Sequence, residues 1–222
     1  MKKLSIVLAI CSLFALKSCK ISSDEEPFYT TNKPMNKIEQ VFALKGFDKI
    51  EMGSAFIVNI KEGTTYEVKA TGDSVDIADL LYSLQNNTLL FKYVRTRPHR
   101  EGMQIDITLP ILRAATLGEA ASGSIECADK SDELLLNLKE ASHFNLKGII
   151  SKIQASVIEA SYLNTYDATN KETILNVEGA SQVKVRAEQR LEITAKGVSK
   201  VWYRGNATTV INKFDLSQVI KD

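Results

Sequence analysis

Serine recurs in this chain at a regular interval, each time behind a small residue and ahead of an apolar stretch. The copies are KEASHFN around Ser142, IEASYLN around Ser161, VEGASQV around Ser181 and KGVSKVW around Ser199. A serine becomes a nucleophile only beside a base that takes its proton. The two histidines, His99 and His143, do not recur with the serines, and no lysine keeps a fixed offset from them. No G-x-S-x-G elbow, H-E-x-x-H pair or phosphate-binding loop is present. Repeated serine without a repeated partner points to architecture.

Three other groups could carry chemistry. Arg95, Arg97 and Arg100, with His99, form a basic cluster suited to an anion such as a phosphate headgroup or an acidic glycan. Glu119, Glu140 and Glu159 precede the small-residue–serine positions and could stack as a carboxylate column that attracts a cation. No Asp-rich loop of the kind a hard cation requires accompanies them, so no metal site and no cofactor is expected. Tyr162, Tyr166 and Trp202 could form an aromatic strip on which sugars stack. Cys127 is the single cysteine beyond the N-terminal region, which excludes an internal disulfide and a cysteine-based zinc site.

The elements that must position these residues follow from parity. In VEGASQVKVRA, Val177, Gly179, Ser181, Val183, Val185 and Ala187 alternate with Glu178, Gln182, Lys184 and Arg186. One face is apolar or small and the other polar, as in a strand with one buried side. The same frame fits the other copies, with Ala121 in the serine place of an earlier one. The intervals from Ala121 through Ser142, Ser161 and Ser181 to Ser199 are 21, 19, 20 and 18 residues. Each period holds two or three short strands and no helix, which is the signature of a stacked solenoid. An antiparallel meander is disfavoured because Asn-Gly and Asp-Gly turns are missing between these strands. The carboxylates Glu119, Glu140 and Glu159 fall on the inward parity, where they would be unpaired, so the chain is expected to bend there. E-A-S or G-A-S is then the corner between strands. By parity Tyr162, Tyr166 and Trp202 point outward, whereas Tyr203 and Cys127 point inward.

The N-terminal half is less regular. Phe56, Val58 and Ile60, then Tyr66, Val68 and Ala70, alternate around a Glu62-Gly63 turn. Asp73 or Ser74 is placed to cap a short helix running to Leu84, because Ile77, Leu80, Leu81 and Leu84 have helical spacing, and Asn86-Asn87 would end it. Arg95 to Arg100 forms a loop between two further strands. The stretches GFDKIEMGSAFIVNIKEGTTYEVKATGD, NNTLLFKY and IDITLPILRAATLGEAASG, followed by the repeats, resemble the auto-transporter adhesin head GIN-domain family over roughly residues 40 to 205. The resemblance implies an all-β, right-handed parallel β-helix and a cell-envelope location. It implies no catalytic residues.

At the N-terminus, Lys2 and Lys3 precede an apolar run from Leu4 to Leu16, the length of a signal-peptide core. LKSC follows and resembles a bacterial lipobox, which would make Cys19 the lipidated first residue of the mature chain. Residues 1–18 are then a lipoprotein signal and 19–37 a polar, proline-containing tether. Residues 38–222 form one domain, with repeats over about 115–205. Without Lys2, Lys3 and Lys17 the net charge falls from +1 to about −2, so no basic field exists for nucleic acid. The expected partners are a membrane, through the lipid, and a surface glycan or protein. The function expected is a non-enzymatic envelope binding module. A polysaccharide-processing β-helix enzyme is the alternative, and it would need acids or bases converging in a groove. Homo-oligomeric stacking of solenoid ends is a third reading, with residues 207–222 available as a cap. Cys19→Ala is expected to move the protein from the membrane fraction to the soluble fraction on cell fractionation. Continued membrane retention would sink the lipoprotein reading.

Overall fold

The computed structural model describes residues 36–97 and 100–222, apart from the side chains of residues 129–131. The signal, Cys19, the tether through residue 35 and His99 lie outside the described residues. The chain forms a β-solenoid of about 5 turns with a single short helix.

Strands appear in the order β1 (Lys37–Phe42), β2 (Lys49–Met52), β3 (Ile57–Glu62), β4 (Glu67–Asp73), helix α1 (Ser74–Ala78), β5 (Leu80–Gln85), β6 (Thr88–Tyr93), β7 (Gln104–Leu109) and β8 (Ala114–Leu117). Next come β9 (Ser122–Leu138), β10 (His143–Val157), β11 (Tyr162–Val177), β12 (Gln182–Arg186), β13 (Arg190–Ala195), β14 (Lys200–Arg204), β15 (Thr208–Lys213) and β16 (Gln218–Lys221). They stack into two walls. The front wall runs β1-β4-β7-β3, through the first halves of β9, β10 and β11, to β12-β14-β16. The back wall runs β5-β6-β2-β8, through the second halves of the same three strands, to β13 and β15. From β3 and β2 onward every pairing is parallel.

The alternation predicted from sequence is the burial pattern observed. Phe144, Leu163, Val183 and Val201 line the front wall's inner side in register, and Leu136, Ala155, Leu175 and Ile193 line the back wall's. Where short strands were expected, β9, β10 and β11 each run unbroken around the second corner and serve both walls. At that corner Gly148 has φ +109 in β10, and a Cβ there would lie 1.9 Å from the Cys127 carbonyl oxygen. Buried Glu62 holds the same corner in the first coil, accepting from the Leu112 and Ala128 amides at 2.7 Å each.

The E-A-S segments are the tight first corner. Glu119 and Ala120, Glu140 and Ala141, and Glu159 and Ala160 all adopt positive φ, as do Gly179 and Gly197 in later copies. This conformation turns the glutamates out of the core and explains the broken parity. The Ala120 amide donates to the Glu140 carbonyl at 2.8 Å and the Ala141 amide to the Glu159 carbonyl at 3.0 Å, so consecutive turns are bonded to each other. The serines lie buried beneath. Ser142 Oγ donates to Ser161 Oγ at 3.3 Å, and the Ser161 amide donates to Ser181 Oγ at 3.2 Å.

Two expectations are corrected. The helix stops at Ala78, and residues 80–85 are strand β5, antiparallel to β6. Leu80 and Leu84 fit a helical period with Ile77 and Leu81, but with Tyr82 they also alternate at a period of two, and the pairing of Leu80, Tyr82 and Leu84 with Tyr93, Phe91 and Leu89 decides for the strand. Asn86-Asn87 therefore ends no helix. Both residues have positive φ (51° and 61°), which makes them the turn of a β5–β6 hairpin. At the other end, residues 208–221 form one more coil. Its inward positions include Thr209, Lys213 and Lys221, in register with Leu191, Ala195 and Tyr203 of the coil before. Gly148→Ala is expected to destabilise the fold by about 3 kcal/mol in chemical denaturation, through forbidden φ and backbone overlap. A loss below about 0.5 kcal/mol would show that the second corner is not rigid.

Candidate binding face

The outward side of the front wall collects the candidate aromatics. Tyr162 and Tyr166 lie on β11 and Trp202 on β14, all three half-buried with rings on the outer surface. Tyr162 stacks on His143, the preceding residue in its row, with centroids 4.2 Å apart and planes at 22°. The Arg204 guanidinium lies 4.1 Å from the Tyr166 ring centroid, and Tyr166 Oη donates to Asp222 at 2.6 Å. Burial, with that bond to Asp222, pushes the Tyr166 phenol up to about 12. The Lys200 ammonium stands 4.7 Å from the Trp202 ring centroid.

A second row on this face was not recognised in the sequence. Asn59, Ser124, Asn145, Asn164, Lys184 and Trp202 occupy in-register outward positions on successive coils. Asn164 Nδ2 donates to Asn145 Oδ1 at 3.2 Å, and Ser124 Oγ donates to Asn59 Oδ1 at 3.2 Å. The signal was available, because these residues recur three positions after the corner serine or its equivalent. The face thus offers rings for apolar sugar faces and amides for hydroxyl groups.

The arginine cluster is occupied from within. Arg100 donates through Nη1 to Asp76 at 2.6 Å and through Nη2 to Asp79 and to the Arg95 carbonyl. Its guanidinium lies 3.6 Å from the Tyr93 ring centroid. Arg97 Nε approaches Asp79 at 3.6 Å and Arg95 Nε at 3.9 Å, while the Arg95 side chain remains 73% exposed. The anion these arginines meet in the fold is the pair of carboxylates on and just after α1. The bond from Arg100 holds the Asp79 carboxyl below its ordinary range despite burial, with the charges of Arg100, Arg97 and Arg95 adding to the effect.

The glutamate column is likewise engaged with backbone. Glu119 Oε2 accepts from the Ser54 amide at 2.7 Å, and Glu140 Oε2 accepts from the Glu119 amide at 3.0 Å. Among the described residues no three His, Cys, Asp or Glu side chains are grouped to hold a metal ion. Cys127 is buried, and burial beside Glu62 pushes its thiol up to about 12. No helix of the described residues is long and apolar enough to cross a membrane.

Fold and face together define a β-solenoid that presents an aromatic and amide-rich wall. The chain belongs to the family described as "putative auto-transporter adhesin, head GIN domain", whose model matches residues 46–207. Its fold is similar to that of a protein from Bacteroides fragilis NCTC 9343 described as a "putative adhesin" (15% identity, TM-score 0.70), covering 84% of this chain and 97% of that one. Two proteins from Parabacteroides distasonis ATCC 8503 share the fold. One, described as a "putative adhesin", has 10% identity and TM-score 0.58, covering 85% of this chain and 98% of that one. The other, described as a "putative lipid binding protein", has 12% identity and TM-score 0.51, with 84% and 97% covered. No protein of curated function matches this chain in sequence.

Arg100→Leu is expected to lower the melting temperature at neutral pH. The difference from the parent should shrink as pH falls below about 4. A depressed carboxyl pKa stabilises the fold above the unfolded-state value, and this is lost as pH falls through the folded-state value. A difference that stays constant across that range would assign Arg100 a packing role against Tyr93.

Proposed function

We infer that this chain is a non-enzymatic adhesin-type binding module of the cell envelope, carried on a lipid at Cys19 and a polar tether. The solenoid holds the front wall rigid, and that wall is the ligand surface for a cell-surface glycan. The observation that carries this reading is the convergence of Tyr162, Tyr166 and Trp202, from two strands, on one outward face beside the row of Asn145 and Asn164. Rings of this kind cover the apolar faces of sugars, and amides in fixed register satisfy their hydroxyls. Adhesin-family membership supports the binding role, and the apolar run ahead of LKSC supports the anchor. The full chain is expected to bind a subset of immobilised glycans, and Trp202→Ala is expected to reduce that signal about tenfold without changing the melting temperature. Absence of binding to every glycan on the array would overturn the reading of the front wall as a sugar-binding surface.

A further inference from the structure

Beside its aromatic strip the front wall carries two cations, Lys184 and Lys200, without acidic partners. Among the described residues, neither Lys184 nor Lys200 pairs with a carboxylate. The in-register neighbours of Lys184 are Asn164 and Trp202, and those of Lys200 are Gln182 and Gln218, all uncharged. Elsewhere on the same wall, Lys61 and Lys147 share Glu126 at 3.7 and 3.0 Å, and Arg186 meets Glu188 at 2.8 Å. On the back wall and its turns, Lys152 meets Glu133 at 2.8 Å, Arg190 meets Glu192 at 2.9 Å and Lys196 meets Glu178 at 3.1 Å. Other wall lysines, among them Lys49 and Lys92, also have uncharged register neighbours; Lys184 and Lys200 are set apart by the outward aromatic rings beside them. Lys200 stands 4.7 Å from the Trp202 ring centroid and Lys184 5.9 Å from that of Tyr166.

We propose that the ligand of this face is an acidic polysaccharide, crossing the front wall obliquely with its carboxylate or sulfate groups on Lys184 and Lys200. This rests on the glycan-binding reading of the front wall and specifies its ligand. The two lysines are on adjacent coils, one inter-strand spacing of about 4.8 Å apart along the axis, and Lys184 is offset from Lys200 by two residues, roughly 6.6 Å, along the strands. A chain that crosses the two coils obliquely therefore meets both cations. The flanking rings take up the C–H faces of the same sugars. Charge complementarity selects an acidic chain over a neutral one, because unpaired ammonium groups would remain unpaired against a neutral sugar. The overall charge of about −2 without the three N-terminal-region lysines gives no broad field for nucleic acid, so the attraction is local to this patch.

The test is titration of the full chain with polygalacturonate, chondroitin sulfate, fully methyl-esterified polygalacturonate and oligo(dT). Polygalacturonate or chondroitin sulfate is expected to bind, the esterified chain to bind at least tenfold more weakly, and added salt to weaken the acidic complex. The double variant Lys184→Gln, Lys200→Gln should lose roughly tenfold in affinity for the acidic chain at an unchanged melting temperature. Equal binding of the esterified and acidic chains overturns the acidic ligand while leaving the glycan-binding face intact. Absence of binding to both acidic chains overturns the proposal, and with an empty glycan array it removes the underlying reading too. Binding of oligo(dT) as tight as that of the acidic polysaccharide overturns it in favour of an unselective anion surface, as does a double variant that binds like the parent.

Discussion

Each coil is held to the next by a tight turn stacked upon a tight turn. Two consecutive residues with positive φ are costly for side chains such as Glu and Ala, on the order of 1–3 kcal/mol each. Here the turn amides find carbonyls on a neighbouring coil, and glutamate carboxylates cap the amides of the coil before. Beneath the turn, small serines allow close approach and bond to one another. With this corner fixed, the strands on either side enter in register and their inward residues form continuous apolar rows.

That constraint decides where variation is tolerated. Inward positions are bound to size and apolarity, and corner positions to dihedral angle. The outward positions of the walls carry neither obligation, and they are where the repeats stop repeating. Charged residues form ion pairs on both walls, Lys152 with Glu133 on the back and Lys147 with Glu126 on the front. On the front wall the outward rows hold rings, amides and two unpaired lysines. The rings and amides of those rows are functional information because the architecture does not require them.

The two ends of the solenoid are finished differently. At the N-terminal end the parallel stack gives way to antiparallel strands, with β4 and β1 on one wall and β5 on the other. At the C-terminal end the last coil places Lys213 and Lys221 at inward positions. Inward charge on an edge strand opposes growth by further pairing, which disfavours indefinite stacking of copies end to end.

Local chemistry determined much of this protein. Alternation fixed which residues of the repeats are buried, the recurring serine fixed the corner, and the carboxylates at inward parity revealed that the chain must turn there. Tyr162, Tyr166 and Trp202 were legible as outward by parity alone. Tertiary structure decided what parity cannot see. Leu80 and Leu84 fit a helix with Ile77 and Leu81 and a strand with Tyr82, and only the partners on β6 made the segment a strand. The Arg95–Arg100 cluster read as an open anion site because its partners, Asp76 and Asp79, are some twenty residues away and reach it only through the fold. The asparagine row and the isolation of Lys184 and Lys200 likewise depend on which residue of one coil lies beside which residue of the next. Register between coils is set by stacking contacts across about twenty residues, so it is a property of the folded chain and not of any local stretch.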